Sequence, residues 1–296
     1  MTRTQRLSIA LGLNGLLVVG QVVFGLLANS MGLLADAAHN LSDIAALGMA
    51  MMGVLVSRRL PTAGRSYGWH RATILAALAN GLLIIAVTAL IMVEAIPRLL
   101  NPEPVEGGVV VGVALAATAL NVAAALVLHE GRSDLNMRSA LLHMSADAAA
   151  SLGVAAAGLV ILLTGGFEWL DPAISIAIGL VIGVEAWRLV RSAVDVLLEA
   201  APPDIDLAAL RAAMADVDGV ADVHDLHVWS LSSGVRVLTA HVVTPDAESL
   251  IAAQEVGHRV RDAIEQPFGI AHTTIELEAD GQGPACLPDT DRHVPD

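Results

Sequence analysis

The sequence predicts an α-helical membrane protein with six transmembrane helices, followed by a small cytoplasmic α/β domain. Two observations support this fold class. First, 55% of the 296 residues are hydrophobic and only 16% are charged, and the apolar residues before about residue 200 form stretches too long for ordinary core helices. Second, after Pro202 short β-branched runs alternate with acidic helical stretches, as in a small water-soluble domain.

The spans follow from length and hydropathy, because a helix needs about 20 apolar residues to cross a bilayer. Six stretches meet this requirement: 7–28, 32–56, 73–99, 107–129, 139–164 and 172–198. The first follows Arg3 and Arg6, as the apolar part of a signal peptide would. It is long enough to span and more spans come after it, so we expect it to be retained as a helix.

The orientation follows from arginine. Of the 11 arginines in residues 1–200, only Arg98 lies at one set of helix ends, and the others lie at the opposite set. Positive charges collect on the cytoplasmic side of membrane proteins. We therefore expect both termini and the soluble domain in the cytoplasm.

The soluble domain carries the acidity of the chain. Residues 1–200 hold 11 Arg and 13 acidic residues, whereas 201–296 hold 5 Arg and 17 acidic residues. An acidic surface of this size repels nucleic acid and attracts cations, so no nucleic-acid partner is expected. We predict a transmembrane domain at 1–200, an α/β domain at 201–280 and a tail at 281–296.

The expected metal ligands in this chain are histidine and carboxylate. The single cysteine, Cys286, excludes an intramolecular disulfide and an all-thiolate metal cluster. A charged side chain near the bilayer centre costs roughly 2.5–3.5 kcal/mol on insertion scales. Ionisable residues inside the predicted spans therefore point to function.

Two spans carry the same polar spacing. His39 and Asp43 in the second span, and His143 and Asp147 in the fifth, are each four residues apart and so share one helical face. If the two faces meet, they offer two imidazoles and two carboxylates, which suits tetrahedral Zn²⁺ and cancels its charge. Alternatively, each histidine hydrogen-bonds the aspartate on its own helix. Asp36 either orients the His39 ring from outside the ligand shell or serves as an N-terminal helix charge.

Transport explains this site better than catalysis. Four protein ligands close the site, whereas a catalytic zinc usually keeps a position open, and the HExxH signature of zinc peptidases is absent from every span. Metal and protons compete for the same atoms, which offers a route to metal/proton exchange. The rival from another class is a membrane-anchored metal sensor that signals through its cytoplasmic domain. No enzymatic activity and no organic cofactor are expected.

The soluble domain is predicted as helix, strand, strand, helix, strand, with a turn at Gly234 between the first two strands. His224 and His241 fall on the two adjacent strands, and Glu276 and Glu278 on the last. These residues either gather into a second cation site or are ordinary polar residues on strand surfaces.

Four segments resemble the cation diffusion facilitator family in its zinc-transporting branch. They are LLADAAHNLSD (33–43), YGWHRATILAALAN (67–80), HMSADAAASLGV (143–154) and HDLHVWSL (224–231). The resemblance covers nearly the whole chain. It implies a homodimeric zinc/proton antiporter that works by alternating access and exports Zn²⁺ from the cytoplasm. We expect the protein in the inner membrane of a bacterium. The resemblance also implies a metallochaperone-like, ferredoxin-like cytoplasmic domain.

The family's ligands fall on specific positions of this sequence. The resemblance assigns the transport site to His39, Asp43, His143 and Asp147, and the cytoplasmic site to His224, His241 and Glu278. The chain also departs from many relatives. Its loop 129–138 has one histidine at its edge where they carry a His-rich loop. A metal-collecting loop is therefore not expected here.

Overall fold

The computed structural model describes residues 3–129, 135–232 and 234–279. Contacts divide the chain into two compact units. The first comprises residues 1–51 and 77–190, and the second comprises residues 52–76 and 191–296. The tail with Cys286 and residues 130–134 of the loop 129–138 lie outside the described residues.

Six long helices occupy the first two thirds of the chain. They are α1 (Arg3–Leu27), α2 (Met31–Ser57), α3 (Ala72–Leu100), α4 (Gly107–His129), α5 (Leu135–Thr164) and α6 (Leu170–Leu197). The largest displacements from the predicted bounds are at the starts of α1 and α5, which begin at Arg3 and Leu135 rather than at 7 and 139.

A helical membrane domain is confirmed, whereas the first predicted span, 7–28, stays a prediction. Among the described residues, helices α2 to α6 are each long and apolar enough to cross a membrane, and α1 contributes a shorter apolar stretch, Asn14–Leu27.

Small residues allow the helices of the first unit to pack closely. A Cβ atom added at Gly158 in α5 would lie 2.7 Å from Val110 Cγ1 in α4, and one added at Gly107 would lie 2.7 Å from the Gly158 carbonyl oxygen. Such close approach is typical of membrane helix interfaces. The shared core also includes Leu33 of α2 and Ile178 of α6. This packing places α2 against the other helices of the bundle.

The α/β region of the second unit follows the predicted order of elements. It comprises α7 (Leu207–Ala215), β1 (Asp222–Ser232), β2 (Val235–Val243), α8 (Leu250–Phe268) and β3 (Ile270–Glu278). The strands form one mixed sheet in the order β1-β2-β3, in which β1 and β2 run antiparallel and β2 and β3 run parallel. The parallel connection is made by α8, as parallel neighbours require. The finer ferredoxin-like assignment stays a prediction.

Local chemistry fixes the ends of these elements. Asp206 caps α7 by accepting from the amides of Ala208 and Ala209, and Ser249 caps α8. Gly234 has φ of 90° between β1 and β2, a conformation that favours glycine. The turn predicted at that position is present. The sheet is held on a core of apolar side chains that includes Leu210, Leu238, Val260 and Ile264.

Candidate metal centres

The four ionisable residues predicted from the HxxxD spacing come together between α2 and α5. His39 Nε2 lies 2.9 Å from Asp147 Oδ1, and His143 Nε2 lies 3.3 Å from Asp43 Oδ2 and 3.7 Å from Asp147 Oδ2. The two imidazole rings approach with centroids 6.0 Å apart and an interplanar angle of 69°. We call these four residues the transmembrane cluster.

The pairing in this cluster runs between helices. His39 hydrogen-bonds Asp147 on α5 rather than Asp43 on its own helix. His143 lies nearer to Asp43 on α2 than to Asp147 one turn along α5. The simpler alternative, in which each histidine bonds only the aspartate of its own helix, is therefore not the arrangement in this structure.

The dimensions of the transmembrane cluster suit a small divalent cation. Tetrahedral zinc with bonds of about 2.0–2.1 Å places its ligand atoms about 3.3 Å apart. One ligand atom from each of His39, Asp43 and Asp147 lies within 4.8 Å of the others. His143 is not part of that compact group, but its Nε2 lies 3.3 Å from Asp43 Oδ2 and 3.7 Å from Asp147 Oδ2. Asp147 is almost enclosed, with 3% of its side chain exposed, whereas His143 is 44% exposed. Two carboxylates and two neutral imidazoles would balance a +2 charge in this setting.

The hydrogen bonds of Asp36 run to other helices, and its predicted role in orienting the His39 ring stays a prediction. Asp36 lies beyond the first turn of α2, which contains no acidic residue, so it is not an N-terminal helix charge. Its Oδ2 accepts hydrogen bonds from Gln21 Nε2 at 2.5 Å and Ser151 Oγ at 2.8 Å, and its Oδ1 has no hydrogen-bond partner among the described residues. Asp36 thus ties α1, α2 and α5 together, and neither oxygen hydrogen-bonds the His39 ring.

Sequence reasoning missed Asp171 at the start of α6. This buried carboxylate accepts hydrogen bonds from the Ser30 hydroxyl and from the backbone amides of Met31 and Gly32, all at the N-terminus of α2. An Asp followed by proline at a helix start usually caps its own helix. Nothing in the sequence indicated that this one serves a helix about 140 residues away.

A second cluster lies on the sheet of the second unit. The register pairs His224 on β1 with His241 on β2, and their ring centroids are 5.2 Å apart. Glu278 on β3 joins them, with Oε2 3.1 Å from His224 Nε2 and Oε1 2.6 Å from His241 Nδ1. We call His224, His241 and Glu278 the cytoplasmic cluster. One ligand atom from each lies within 4.8 Å of the others.

Electrostatics keep Glu278 ionised. Burial favours the neutral acid, but the hydrogen bonds and positive potential of His241 and His224 outweigh it, and the pKa of Glu278 is lowered below its usual value. Glu276, two residues earlier on the same strand, is 67% exposed and its carboxylate lies 3.6 Å from His241 Nε2. Glu278 is therefore the more firmly held of the two carboxylates.

A bulge in β1 adds a residue that the sequence did not single out. The register shifts between His224 and His227, and Asp225 there has φ of 49°. This conformation brings Asp225 Oδ2 to 3.6 Å from His241 Nε2 and Oδ1 to 2.8 Å from His227 Nε2. The bulge turns Asp225 toward the cytoplasmic cluster, and no local sequence pattern predicted it.

Comparison with known families accounts for almost the whole chain. The family model described as the cation efflux transmembrane domain matches residues 7–198. The model described as the cytoplasmic domain of cation efflux proteins matches residues 202–280.

Individual relatives are similar over nearly their full length. The zinc transporter ZitB of Escherichia coli (strain K12) is 38% identical over 95% of this chain and 90% of its own. The metal cation efflux system protein CzcD of Cupriavidus metallidurans is 37% identical over 92% of this chain and 85% of its own. A cadmium, cobalt and zinc/H(+)-K(+) antiporter of Bacillus subtilis is 29% identical over 88% and 84%.

Proposed function

The chain belongs to the cation efflux family, and on that premise we propose that it exports Zn²⁺ from the cytoplasm in exchange for protons. The predicted resemblance to this family is thereby confirmed. The relatives include zinc transporters and a broader cadmium, cobalt and zinc antiporter, and these names support a divalent cation as the substrate. Zinc is the member of that group that the ligand set of the transmembrane cluster favours.

The observation that carries the proposal is the pairing between helices in the transmembrane cluster. Each of α2 and α5 supplies one imidazole and one carboxylate, and each imidazole lies closest to the carboxylate of the other helix. We propose that His39, Asp43, His143 and Asp147 replace the hydration shell of the ion. A change in the relative position of two helices would then open the site, which is the physical basis for alternating access.

Proton exchange follows from the same atoms. A bound metal requires neutral imidazoles and ionised carboxylates, so binding releases protons and protonation weakens binding. Protons entering from the side opposite the cytoplasm would therefore help to displace the ion there. This reciprocity gives the direction of coupling: a gradient that is acidic on the release side drives export.

We place the protein in the inner membrane as a homodimer, with both termini in the cytoplasm. The arginine distribution supports this orientation. Residues 1–200 form the membrane domain in this proposal, and residues 201–280 form the cytoplasmic domain that holds the dimer together. The match of residues 202–280 to a family model named for a dimer supports the second assignment. Zinc at the cytoplasmic cluster would act there as a regulatory ligand.

The test is Zn²⁺ flux in proteoliposomes that contain a trapped zinc dye, with and without an imposed pH gradient. The wild type is compared with Asp147→Ala, and with Asp195→Ala as a control at an exposed aspartate near the end of α6. We expect flux that the gradient stimulates in the wild type and the control, and background flux in Asp147→Ala. Full flux in Asp147→Ala would refute the proposal that the transmembrane cluster is the transport site.

The same experiment distinguishes a transporter from a metal sensor. The cytoplasmic cluster is the observation that favours a sensor. His224, His241 and Glu278 already form a compact ligand set on the sheet, and a sensor needs such a site but no flux. Stoichiometric zinc binding by folded protein without any flux would support the sensor. Flux that the gradient does not change would keep the transporter and exclude proton exchange.

A further inference from the structure

The N-terminus of α2 is held by a residue of another helix. The first four amides of a helix have no partner within it, and in α2, counted from the N-cap residue, they belong to Ser30, Met31, Gly32 and Leu33. The Ser30 amide donates to the Gly25 carbonyl oxygen at 2.9 Å, and the Leu33 amide donates to the Ser30 hydroxyl at 3.1 Å. The amides of Met31 and Gly32 donate to Asp171 at 2.6 and 3.2 Å.

Asp171 is built into this position. It is 2% exposed, and a third donor, the Ser30 hydroxyl, points at its Oδ1. Gly32 leaves the space for it, since a Cβ atom there would meet Asp171 Oδ1 at 3.1 Å and Ile174 Cγ2 at 3.2 Å. The negative charge also faces the positive end of the α2 dipole, where an anion is favoured. All these contacts belong to the first unit of the structure.

A second contact fixes the same turn from α3. Arg98 Nη1 donates to Asn29 Oδ1 at 2.7 Å and to the Asn29 carbonyl oxygen at 3.3 Å. The Arg98 cation therefore binds the connection between α1 and α2, and the Asp171 anion binds the start of α2 that follows it. The axial position of α2 is consequently determined at this end by side chains of α3 and α6.

We propose that Asp171 is a positioning residue for the transmembrane cluster: by holding the N-terminus of α2 against α6, it sets the height at which α2 presents His39 and Asp43 to α5. Each residue of helical shift moves a side chain about 1.5 Å along the axis. A slip of that size would disrupt pairing distances of 2.9 and 3.3 Å in the cluster. The inference rests on the proposed metal site, and it adds a residue that does not touch the ion.

The test is Co²⁺ binding to the full-length protein, read from the visible absorption bands that report tetrahedral coordination. All variants carry His224→Ala and His241→Ala, so that the cytoplasmic cluster does not contribute. In this parent protein, Asp171→Asn is compared with Glu106→Gln, a control at an exposed carboxylate just before α4. Asparagine keeps the size of the side chain, but it places an NH₂ group where amide donors need an acceptor.

We expect Asp171→Asn to weaken Co²⁺ binding about tenfold, the lower end of the range for residues that orient ligands, and to shift the absorption bands. A structural role alone would reduce the yield of folded protein and leave the bands of the folded fraction unchanged. Ser30→Ala should shift the absorption bands in the same direction, but by a smaller amount than Asp171→Asn. If Asp171→Asn does not fold, Ser30→Ala is the variant that tests the positioning role. Zn²⁺ flux should show a raised KM with a smaller change in maximal rate.

The outcomes separate the two ideas. His39→Ala in the parent protein shows which bands depend on His39. The positioning role is supported if those bands change in Asp171→Asn but not in Glu106→Gln. Bands that require His39 but are unaffected by both Asp171→Asn and Ser30→Ala overturn it while leaving the transport site in place. If the parent protein shows no bands that depend on His39, the proposed transport site is refuted, and the positioning role is refuted with it.

Discussion

The transmembrane cluster and the cytoplasmic cluster use similar side chains on different kinds of scaffold. In the first, His39, Asp43, His143 and Asp147 project from two helices, and their pairing crosses from one helix to the other. In the second, His224 and His241 are cross-strand neighbours in one sheet, and Glu278 projects from the adjoining strand. The difference lies in what fixes the distance between the ligands.

The scaffold determines how easily each site can change. Between their first and last turns, helices satisfy their backbone hydrogen bonds internally, so two of them can shift relative to each other without breaking those bonds. Neighbouring strands are joined by the backbone hydrogen bonds of the ladder, which set their register. A site shared by two helices is therefore suited to binding and release, whereas a site on a sheet is suited to steady occupancy. Variants in the two clusters should differ accordingly.

The largest contrast is expected from removing one imidazole of the transmembrane cluster. His39→Ala deletes a proposed ligand and the partner of buried Asp147. We expect Zn²⁺ flux to fall to background, a larger loss than the roughly 10- to 100-fold typical of residues outside the ligand shell. Flux assays in proteoliposomes measure it, with His258→Ala, an exposed histidine on α8, as the control. Retained flux in His39→Ala would show that the helix pair is not the transport site.

A change of selectivity should follow when the same position carries oxygen instead of nitrogen. His39→Asp makes the cluster richer in carboxylate, which suits ions such as Mn²⁺ better than Zn²⁺. We expect the ratio of Mn²⁺ flux to Zn²⁺ flux to rise about tenfold, equivalent to about 1.4 kcal/mol of differential binding. Competition between the two ions in the same vesicles measures the ratio. An unchanged ratio would mean that His39 does not contact the ion.

A smaller effect on flux is expected in the cytoplasmic cluster. His224→Ala removes one of the two imidazoles that approach Glu278, so zinc binding there should weaken, by about 100-fold if it is a direct ligand. Transport should slow only about twofold, because the ion pathway is intact. Zinc titration of the purified protein and flux assays give the two numbers. Complete loss of flux would show that the sheet site is part of the pathway.

The smallest effect should separate the two glutamates of β3. Glu278→Gln weakens hydrogen bonds to two histidines, whereas the Glu276 side chain is largely exposed. Without metal, we expect Glu278→Gln to lower the unfolding temperature of the α/β domain by roughly 4–8 °C, the shift that about 1 kcal/mol causes in a domain of this size. Glu276→Gln should leave it within error. Equal shifts in a thermal scan with a chelator present would contradict the assignment of Glu278 as the anchored carboxylate.

The positions of the helices and strands were predictable because the signals are local. Hydropathy summed over about 20 residues located the spans, and alternating β-branched runs on either side of Gly234 located β1 and β2. The two HxxxD spacings likewise placed each histidine and its aspartate on one helical face. These inferences need only the regular geometry of a helix or strand, which does not depend on what lies opposite.

Contacts between distant segments were not predictable in the same way. The sequence left open whether His39 bonds Asp43 or a residue of α5, and only the packing of α2 on α5 brings Asp147 to 2.9 Å. It also gave no role to Asp225, whose orientation depends on a bulge in β1. Both cases depend on where another element lies, and single-sequence patterns carry no information about that.

The sequence by itself determined the membrane character, the approximate spans and the chemical identity of the proposed ligands. These properties follow from composition and periodicity within each segment. The tertiary structure alone decided which imidazole faces which carboxylate, and that Asp171 serves the N-terminus of α2 rather than only its own helix. The physical reason is that a buried polar group takes the partner that the packing brings within reach, and the packing is set by the whole bundle.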